Sequence, residues 1–293
     1  MKISRRNFIG SAGMAAGLGL AGGAEAMPQG DVSSIGKTPH IKFSINIELW
    51  WKQLEYPDRI RKAAELGFPA VEFWSTSNKD MPAIKAACDE TGIVITNMSA
   101  GLGSINDPKN HPSLEANAEK GCKLAVEMNA THILCTGGNK IAGQSPQALH
   151  SHIITSLRAV APIFEQYGRT LILEPLNTRV NHPKTCLTYS DDAVAICRAV
   201  DSPNITIAWD LYHQQISEGD LTGRIKEGWD QVGYIQLADH PGRNEPGTGE
   251  IDYPYVLKFI HDLGYRGYVG AECKPLDNDF IRAARRLAAT DNW

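Results

Sequence analysis

Short apolar segments rich in β-branched residues alternate with longer segments of helical periodicity eight times along this chain. The eight predicted strands cover residues 41–47, 70–74, 93–98, 132–136, 170–176, 205–209, 233–238 and 268–271. Several of them are hydrophobic throughout, which is typical of parallel strands buried on both faces. This repeat restricts the chain to two architectures, an eight-stranded barrel or an open doubly wound sheet.

The segments between the strands carry apolar residues at intervals of three and four, which predicts amphipathic helices. The clearest are residues 58–66, 82–91, 113–128, 146–167, 191–200 and 255–263, several of them followed by a glycine at the C-cap. No GxGxxG motif follows the first strand, so the commonest dinucleotide signature of the open sheet is missing. Eight βα units in about 250 residues therefore predict an α/β protein with a single (β/α)8 TIM barrel.

The first 26 residues predict an export signal and not a part of the barrel. Ser4-Arg5-Arg6 begins a basic region, a Gly/Ala-rich apolar run follows, and Ala24-Glu25-Ala26 is typical of a cleavage site. This order resembles the bacterial twin-arginine signal, which predicts a periplasmic or otherwise exported protein without a stable membrane anchor. Residues 27–40 are polar and rich in turn formers, so we expect a flexible lead-in to a barrel over residues 41–293.

The composition limits the classes of molecule that this chain can bind. There are 29 Lys and Arg against 33 Asp and Glu, giving a net charge of −4, so the excess positive charge of a general nucleic-acid binder is absent. None of the six cysteines shows the CxxC spacing of a zinc site. We expect a small-molecule carbonyl or sugar substrate and no nucleic acid, while homo-oligomer formation stays open.

Polar residues stand at the ends of four consecutive predicted strands: Glu174, Asp210, Gln236 and Glu272. The carboxyl ends of barrel strands surround the active site, and a carboxylate buried there is unfavourable unless it is paired or bound to a cation. Each residue alone has an equally good structural explanation. Together, their oxygen atoms predict a site for one divalent metal ion, with Mg²⁺ or Mn²⁺ favoured by the oxygen ligands.

Four segments near these residues resemble the hydroxypyruvate isomerases, a branch of the xylose-isomerase-like TIM barrels. They are WDLYHQQ at 209–215, IQLADHPGR at 235–243, EPGTGEI at 245–251 and GAECKP at 270–275. The resemblance extends over about residues 41–275. The loop at 241–251 is its specific marker, whereas the early GFxxVEF segment at 67–73 is generic to the larger group.

The resemblance implies that the metal is held by Glu174, Asp210, Gln236 and Glu272. Zn²⁺ and Co²⁺ are alternatives to Mg²⁺ and Mn²⁺. It also implies that Glu174 and Glu272 form the catalytic acid–base pair. Many epimerase relatives carry histidine at the third ligand position, so the glutamine of this chain indicates the hydroxypyruvate isomerase branch.

Four further residues are candidates for binding the substrate. His213 matches a substrate-contacting histidine of the family, and its alternative role is to orient Asp210. Arg243 lies in the marker loop, where it meets either the substrate or solvent. Glu72 and Trp74 close the second predicted strand, although a structural ion pair for Glu72 and a core position for Trp74 are equally good explanations.

These residues suit the transfer of a proton next to a carbonyl group. A divalent cation stabilises the resulting enediolate, and carboxylates remove and return the proton. We therefore expect an isomerase that interconverts an aldehyde/ketone pair, either hydroxypyruvate and tartronate semialdehyde or a related small sugar. Two carboxylates on opposite sides of a substrate also permit epimerisation, so an exported ketose or keto-sugar 3-epimerase or isomerase is an alternative.

The loops after the third and fourth strands depart from the cytosolic hydroxypyruvate isomerases, since residues 97–103 lack a histidine expected there and residues 136–140 differ. The substrate therefore stays open. A non-catalytic sugar-binding barrel is the alternative from another class. A metal-dependent endonuclease on the same barrel is disfavoured by the negative charge and by the few histidines at strand ends.

Overall fold

Eight parallel strands close into a barrel in chain order in the computed structural model, which describes residues 32–293. The strands are β1 (Lys42–Asn46), β2 (Ala70–Ser75), β3 (Val94–Ser99), β4 (His132–Thr136), β5 (Thr170–Glu174), β6 (Ile205–Asp210), β7 (Val232–Leu237) and β8 (Tyr268–Ala271). The first and last strands pair in parallel, which closes the sheet. The predicted TIM barrel is confirmed.

Nine α-helices lie in the described residues. They are α1 (Tyr56–Glu65), α2 (Met81–Thr91), α3 (His111–Glu127), α4 (Pro146–Tyr167), α5 (Ser190–Val200), α6 (Leu211–Ser217), α7 (Leu221–Glu227), α8 (Tyr253–Asp262) and α9 (Phe280–Ala289). The sequence pattern did not single out α6, α7 or α9. The first two have only seven residues each, too few for a clear helical periodicity.

All strand ends fall within two residues of their predicted positions. The largest difference is in β5, which was predicted to reach residue 176 and ends at Glu174. Pro175 follows directly and has no N–H to donate to a neighbouring strand. The early end matters for the site, because it leaves Glu174 as the last residue of its strand.

The described part of the predicted lead-in lies against the barrel. The backbone N–H and Nδ1 of His40 lie 2.8 and 2.9 Å from the carboxylate of Asp291, and the backbone N–H of Gly36 donates to the carbonyl of Leu66 at 2.7 Å. The predicted signal at residues 1–26 lies outside the described residues. Within them, no helix combines the length and the hydrophobicity needed to span a bilayer.

The six cysteines are free and buried. Burial raises the pKa of the Cys135 and Cys197 thiols to about 12, so these thiols stay protonated. They pack as small apolar side chains.

Candidate active site

The four residues predicted to hold a metal lie at one end of the barrel. Glu174 and Asp210 are the last residues of β5 and β6, and Glu272 follows β8 directly. Asp210 and Gln236 are register partners on neighbouring strands. All four side chains are buried, with at most 4% of the residue surface exposed.

A cavity of about 230 Å³ opens at this end of the barrel. It is lined by Trp74, Ser99, Leu134, Thr136, Glu174, Leu176, His182, His213, Arg243 and Glu272. Five of the eight predicted site residues are therefore in its wall, namely Trp74, Glu174, His213, Arg243 and Glu272.

Two of the four predicted ligands carry a buried oxygen without a hydrogen-bond partner in the described part of the chain: Asp210 Oδ2 and Gln236 Oε1. Unsatisfied buried oxygens are rare and require an explanation. A bound cation supplies one, because carboxylate and amide oxygens are the ligands that hard divalent ions prefer. The residues present therefore fit the implied metal.

The carboxylates at this end of the barrel repel one another. Burial raises the pKa of Glu174 well above its ordinary value, and the charges of Glu272 and Asp210 raise it further. Burial likewise raises the pKa values of Asp210 and Glu272, and the guanidinium of Arg243 opposes both shifts. A cation is the group that relieves this repulsion.

Arg243 brings one positive charge into the site. Its Nη2 lies 3.0 Å from Glu272 Oε2 and 3.8 Å from Asp210 Oδ2, and its guanidinium lies over the Tyr212 ring, 5.2 Å from the centroid. Burial lowers the pKa of Arg243, but the neighbouring carboxylates outweigh burial, so the net shift is upward. Arg243 therefore stays charged and pairs with the carboxylates.

The marker loop that presents Arg243 is folded around a buried carboxylate. Asp239 is 0% exposed and accepts backbone N–H groups at 2.8–3.1 Å from His240, Gly247, Thr248, Gly249 and Ile251. A Cβ on Gly249 would lie 2.2 Å from the carbonyl oxygen of His240, so only glycine fits there. Asp239 was not a predicted site residue, although its place at the end of the seventh strand was a usable signal.

His213 also lies beside the carboxylates. Its Nε2 is 3.9 Å from Glu174 Oε1 and 3.6 Å from Asp210 Oδ2. Glu174, Asp210 and His213 together could hold an ion, since one ligand atom of each lies within 4.8 Å of the others. Burial lowers the pKa of His213 to about 3, so the ring is neutral. Two sets of metal ligands are therefore possible in this geometry. Both contain the carboxylates, and they differ in whether His213 or Gln236 is the neutral ligand.

Glu72 does not reach the cavity. It is 0% exposed, and its carboxylate accepts from Asn46 Nδ2 (3.1 Å), Asn97 Nδ2 (2.8 Å), Tyr234 OH (2.7 Å) and Gln236 Nε2 (3.0 Å). Burial raises its pKa to about 7, and the charge of Glu272 adds to this shift. With four donors on its two oxygens, Glu72 has no free acceptor for a substrate, so its predicted substrate contact does not fit its position.

Trp74 lies in the cavity wall and is 37% exposed. Its indole Nε1–H donates to Glu272 Oε1 at 2.7 Å. Its backbone N–H donates to Glu48 Oε1 at 3.1 Å, and Glu48 forms a partly buried ion pair with Lys79 at 2.8 Å. Trp74 is thus fixed at both its backbone and its ring, and it holds one oxygen of Glu272.

Several lining residues were missed by the sequence reasoning. Ser99 and Thr136 are the last residues of β3 and β4, so the strand-end rule that selected Glu174 could also have selected them. His182 lies in the loop after β5, with its ring centroid 5.3 Å from that of His213. No sequence signal marks His182, because loop residues reach the cavity only through the path of the folded loop.

A family model described as a xylose isomerase-like TIM barrel matches residues 60–290. The chain belongs to the xylose isomerase-like TIM barrel family. The hydroxypyruvate isomerase of Escherichia coli (strain K12) is 30% identical to this family member over 243 residues, covering 80% of the chain and 94% of that enzyme. The 2-oxo-tetronate isomerase of Pectobacterium atrosepticum is 28% identical and covers 80% and 92% of the two chains.

A solved structure has the same barrel. The crystal structure described as an AP endonuclease, family 2, from Brucella melitensis has a TM-score of 0.75 and 27% identity, covering 80% of this chain and 93% of that one. The resemblance to hydroxypyruvate isomerases is confirmed by the curated relatives. This member of the xylose isomerase-like TIM barrel family is accordingly an enzyme of the isomerase and epimerase group, acting on a small molecule.

Proposed function

We propose that this chain is a divalent-metal-dependent isomerase of the hydroxypyruvate isomerase type. It interconverts an aldehyde/ketone pair, hydroxypyruvate and tartronate semialdehyde or a related small sugar, by proton transfer through an enediolate. The observation that carries the proposal is the group of buried oxygens at four consecutive strand ends, two of which, Asp210 Oδ2 and Gln236 Oε1, have no hydrogen-bond donor among the described residues. The names of the two curated relatives, both isomerases, support the reaction class.

Glu174 and Glu272 are the acid–base pair of the proposal. Both line the cavity, and burial raises both pKa values, which suits carboxyl groups that exchange protons near neutral pH. Trp74 and Arg243 each hold one oxygen of Glu272, so that carboxylate keeps one orientation. A divalent cation held by Glu174, Asp210, Gln236 and Glu272 would supply the positive charge that stabilises the enediolate oxygens.

The size and charge of the cavity limit the substrate. A volume of about 230 Å³ is below the ~300–1,000 Å³ of pockets that enclose drug-sized ligands. Arg243 is the one Lys or Arg among the described lining residues, and it already pairs with Glu272. Burial lowers the pKa of His182, which keeps that ring neutral. A substrate of a few carbons with at most one negative charge fits, whereas a phosphorylated sugar or DNA lacks a counter-charge.

Export by the twin-arginine route remains part of the proposal. An exported enzyme meets sugars more readily than an intracellular oxo acid, so a ketose or keto-sugar 3-epimerase is the second candidate. The hydroxyl groups of Ser99 and Thr136 in the cavity wall favour a hydroxyl-rich substrate and support this alternative.

The experiment is solvent exchange with the purified chain loaded with Mn²⁺. The chain is incubated in D₂O with hydroxypyruvate and with a panel of aldoses, ketoses and keto-sugars, and deuterium incorporation is followed by NMR. We expect metal-dependent exchange at the carbon next to a carbonyl, and its loss in Glu174→Gln and Glu272→Gln. Sugar binding without exchange in the wild-type chain would instead identify a non-catalytic barrel.

A further inference from the structure

Asn177 packs against the ring of His213 behind the cavity. Both residues are 0% exposed. The Nδ2 of Asn177 lies 2.6 Å from His213 Nδ1, and the backbone N–H of Asn177 donates to the same ring nitrogen at 3.2 Å. Two nitrogen donors of one residue therefore face one nitrogen of the histidine.

The orientation of the Asn177 side chain is fixed by the backbone that follows it. Its Oδ1 accepts the N–H of Val180 at 3.0 Å and the N–H of Asn181 at 3.1 Å. Only an oxygen can accept these two hydrogens, since an amide NH₂ is a donor. The amide nitrogen must then be the atom that faces His213.

These contacts decide which ring nitrogen carries the hydrogen. A neutral imidazole has one N–H and one acceptor nitrogen. Because Nδ1 of His213 accepts, the hydrogen is on Nε2. That atom is buried without a hydrogen-bond partner in the described residues, and it lies between Glu174 Oε1 and Asp210 Oδ2 at 3.9 and 3.6 Å.

We propose that Asn177 is a positioning residue that locks His213 in the Nε2–H tautomer. A nitrogen that carries a hydrogen has no lone pair for a cation. His213 is therefore excluded from the ligand set, which leaves Gln236 as the neutral ligand beside the carboxylates. The Nε2–H is instead free to donate a hydrogen bond into the cavity. Its acceptor would be a substrate oxygen, which rests on the proposed isomerase function.

The test reads the tautomer directly in the metal-free full chain. Histidine side chains are labelled with ¹⁵N, and long-range ¹H–¹⁵N spectra separate protonated from unprotonated ring nitrogens. His213→Asn identifies the His213 signals by their loss. We expect an unprotonated Nδ1 and a protonated Nε2 in the wild-type chain. A protonated Nδ1 there would overturn the proposal.

The substitution Asn177→Asp should change the tautomer of His213. A carboxylate beside Nδ1 accepts a hydrogen and cannot donate one, so we expect the hydrogen of His213 to move to Nδ1. The matched control is Asn204→Asp, whose amide donates to the carbonyl of Arg169 at 2.8 Å at the start of β6, on the far side of the barrel. It should leave the His213 signals as in the wild-type chain. An unchanged His213 tautomer in Asn177→Asp would show that Asn177 does not set it.

Two further readouts separate this proposal from the proposed function. Electron spin echo spectra of the Mn²⁺-loaded wild-type chain should lack imidazole nitrogen modulation. If modulation were present and disappeared in His213→Asn, His213 would be a ligand and the proposal would be overturned.

If an exchanging substrate is found, Asn177→Asp should lower kcat by about 10²-fold, the effect of a lost acid–base or donor group, with a much smaller change in KM. If no substrate exchanges, the proposed function fails, and the ¹⁵N spectra still decide the tautomer.

Discussion

The side-chain nitrogen of Gln236 lies 3.0 Å from Oε1 of Glu72, and this contact selects the amide atom that remains for a cation. With Nε2 committed to Glu72, Oε1 is left buried and without a partner in the described structure. A glutamate at position 236 would place a second carboxylate against Glu72 and repel it. Gly270 makes room for the pair, since a Cβ there would lie 2.2 Å from Glu72 Oε2.

Glu72→Met tests the importance of this contact. The substitution removes the acceptor of three buried amides, those of Asn46, Asn97 and Gln236. We expect the free energy of unfolding to fall by on the order of 3 kcal/mol, because each unsatisfied buried donor costs about 1–3 kcal/mol. The Mn²⁺ affinity should fall about ten-fold as the Gln236 amide loses its orientation. Urea unfolding and calorimetric titration measure the two quantities.

The control is Glu72→Gln, which keeps one acceptor oxygen for these donors and should lose less stability than Glu72→Met. Equal stability and equal Mn²⁺ affinity in Glu72→Met and the wild-type chain would contradict the role assigned to Glu72.

Trp74→Phe removes the indole N–H from Glu272 and keeps an aromatic ring in the cavity wall. Groups that orient a metal ligand typically contribute about 10–100-fold to metal affinity or activity, so we expect Mn²⁺ affinity to fall about ten-fold. Trp74 is partly exposed, so the variant should fold normally. Trp229→Phe, just before β7 at the other end of the barrel, is the matched control and should bind Mn²⁺ like the wild-type chain. Titration calorimetry compares the three proteins, and equal affinities would rule out this role.

Asp239→Asn should loosen the marker loop. The amide group offers one acceptor oxygen in place of two, whereas five backbone N–H groups now share the carboxylate. We expect faster hydrogen exchange at residues 247–251 and weaker substrate binding, because Arg243 is held by the same loop. Asp252→Asn is the control, since Asp252 caps α8 and asparagine is an equally good N-cap. Exchange that is unchanged in Asp239→Asn would refute the prediction.

The stability of the metal-free chain should fall as the pH rises through the pKa of Glu72, from about 6.5 to about 8. A carboxyl group whose folded pKa is raised contributes stability that is fully present below its ordinary pKa and is lost as the pH rises through the folded value. Glu72, whose pKa is raised to about 7, sets this range, and the pKa of Glu174 is raised in the same direction. This pH range lies above 6.5, the ordinary pKa of histidine. Below that value the lowered pKa of His213 makes the stability rise with pH and opposes the effect of the carboxyl groups.

The effect of Mn²⁺ on stability at two pH values tests the same carboxyl groups. A bound divalent cation favours the ionised carboxylates, so Mn²⁺ should stabilise the chain more at pH ~8 than at pH ~6.5. Urea unfolding in EDTA and in excess Mn²⁺ at both values measures the effect. If the metal-free chain became more stable as the pH rises over this range, the raised pKa values of the carboxyl groups would be contradicted.

Predictions for the site differ in how well the sequence supported them. Glu174, Asp210 and Glu272 were predictable because a carboxylate at the end of a buried strand stands out against an apolar background. Their placement on strands that end at one face of the barrel follows from topology alone. Glu72 carries the same sequence signal but lies three residues before the end of β2, which continues to Ser75. Its side chain therefore faces the interior below the cavity, and the length and register that put it there depend on all eight strands.

The sequence by itself determined the barrel, the four consecutive strand ends that carry polar oxygens, and the family. These properties depend on local periodicity and on the order of elements along the chain, which a linear pattern records. Only the tertiary structure decided that Asn177 faces His213, that Trp74 holds Glu272, and that Glu72 turns the amide of Gln236. Such contacts join residues that are distant in sequence, and they depend on which atom of an amide, indole or imidazole faces its neighbour. Hydrogen bonds are directional, so that orientation is set by the packed fold and leaves no periodic trace in the sequence.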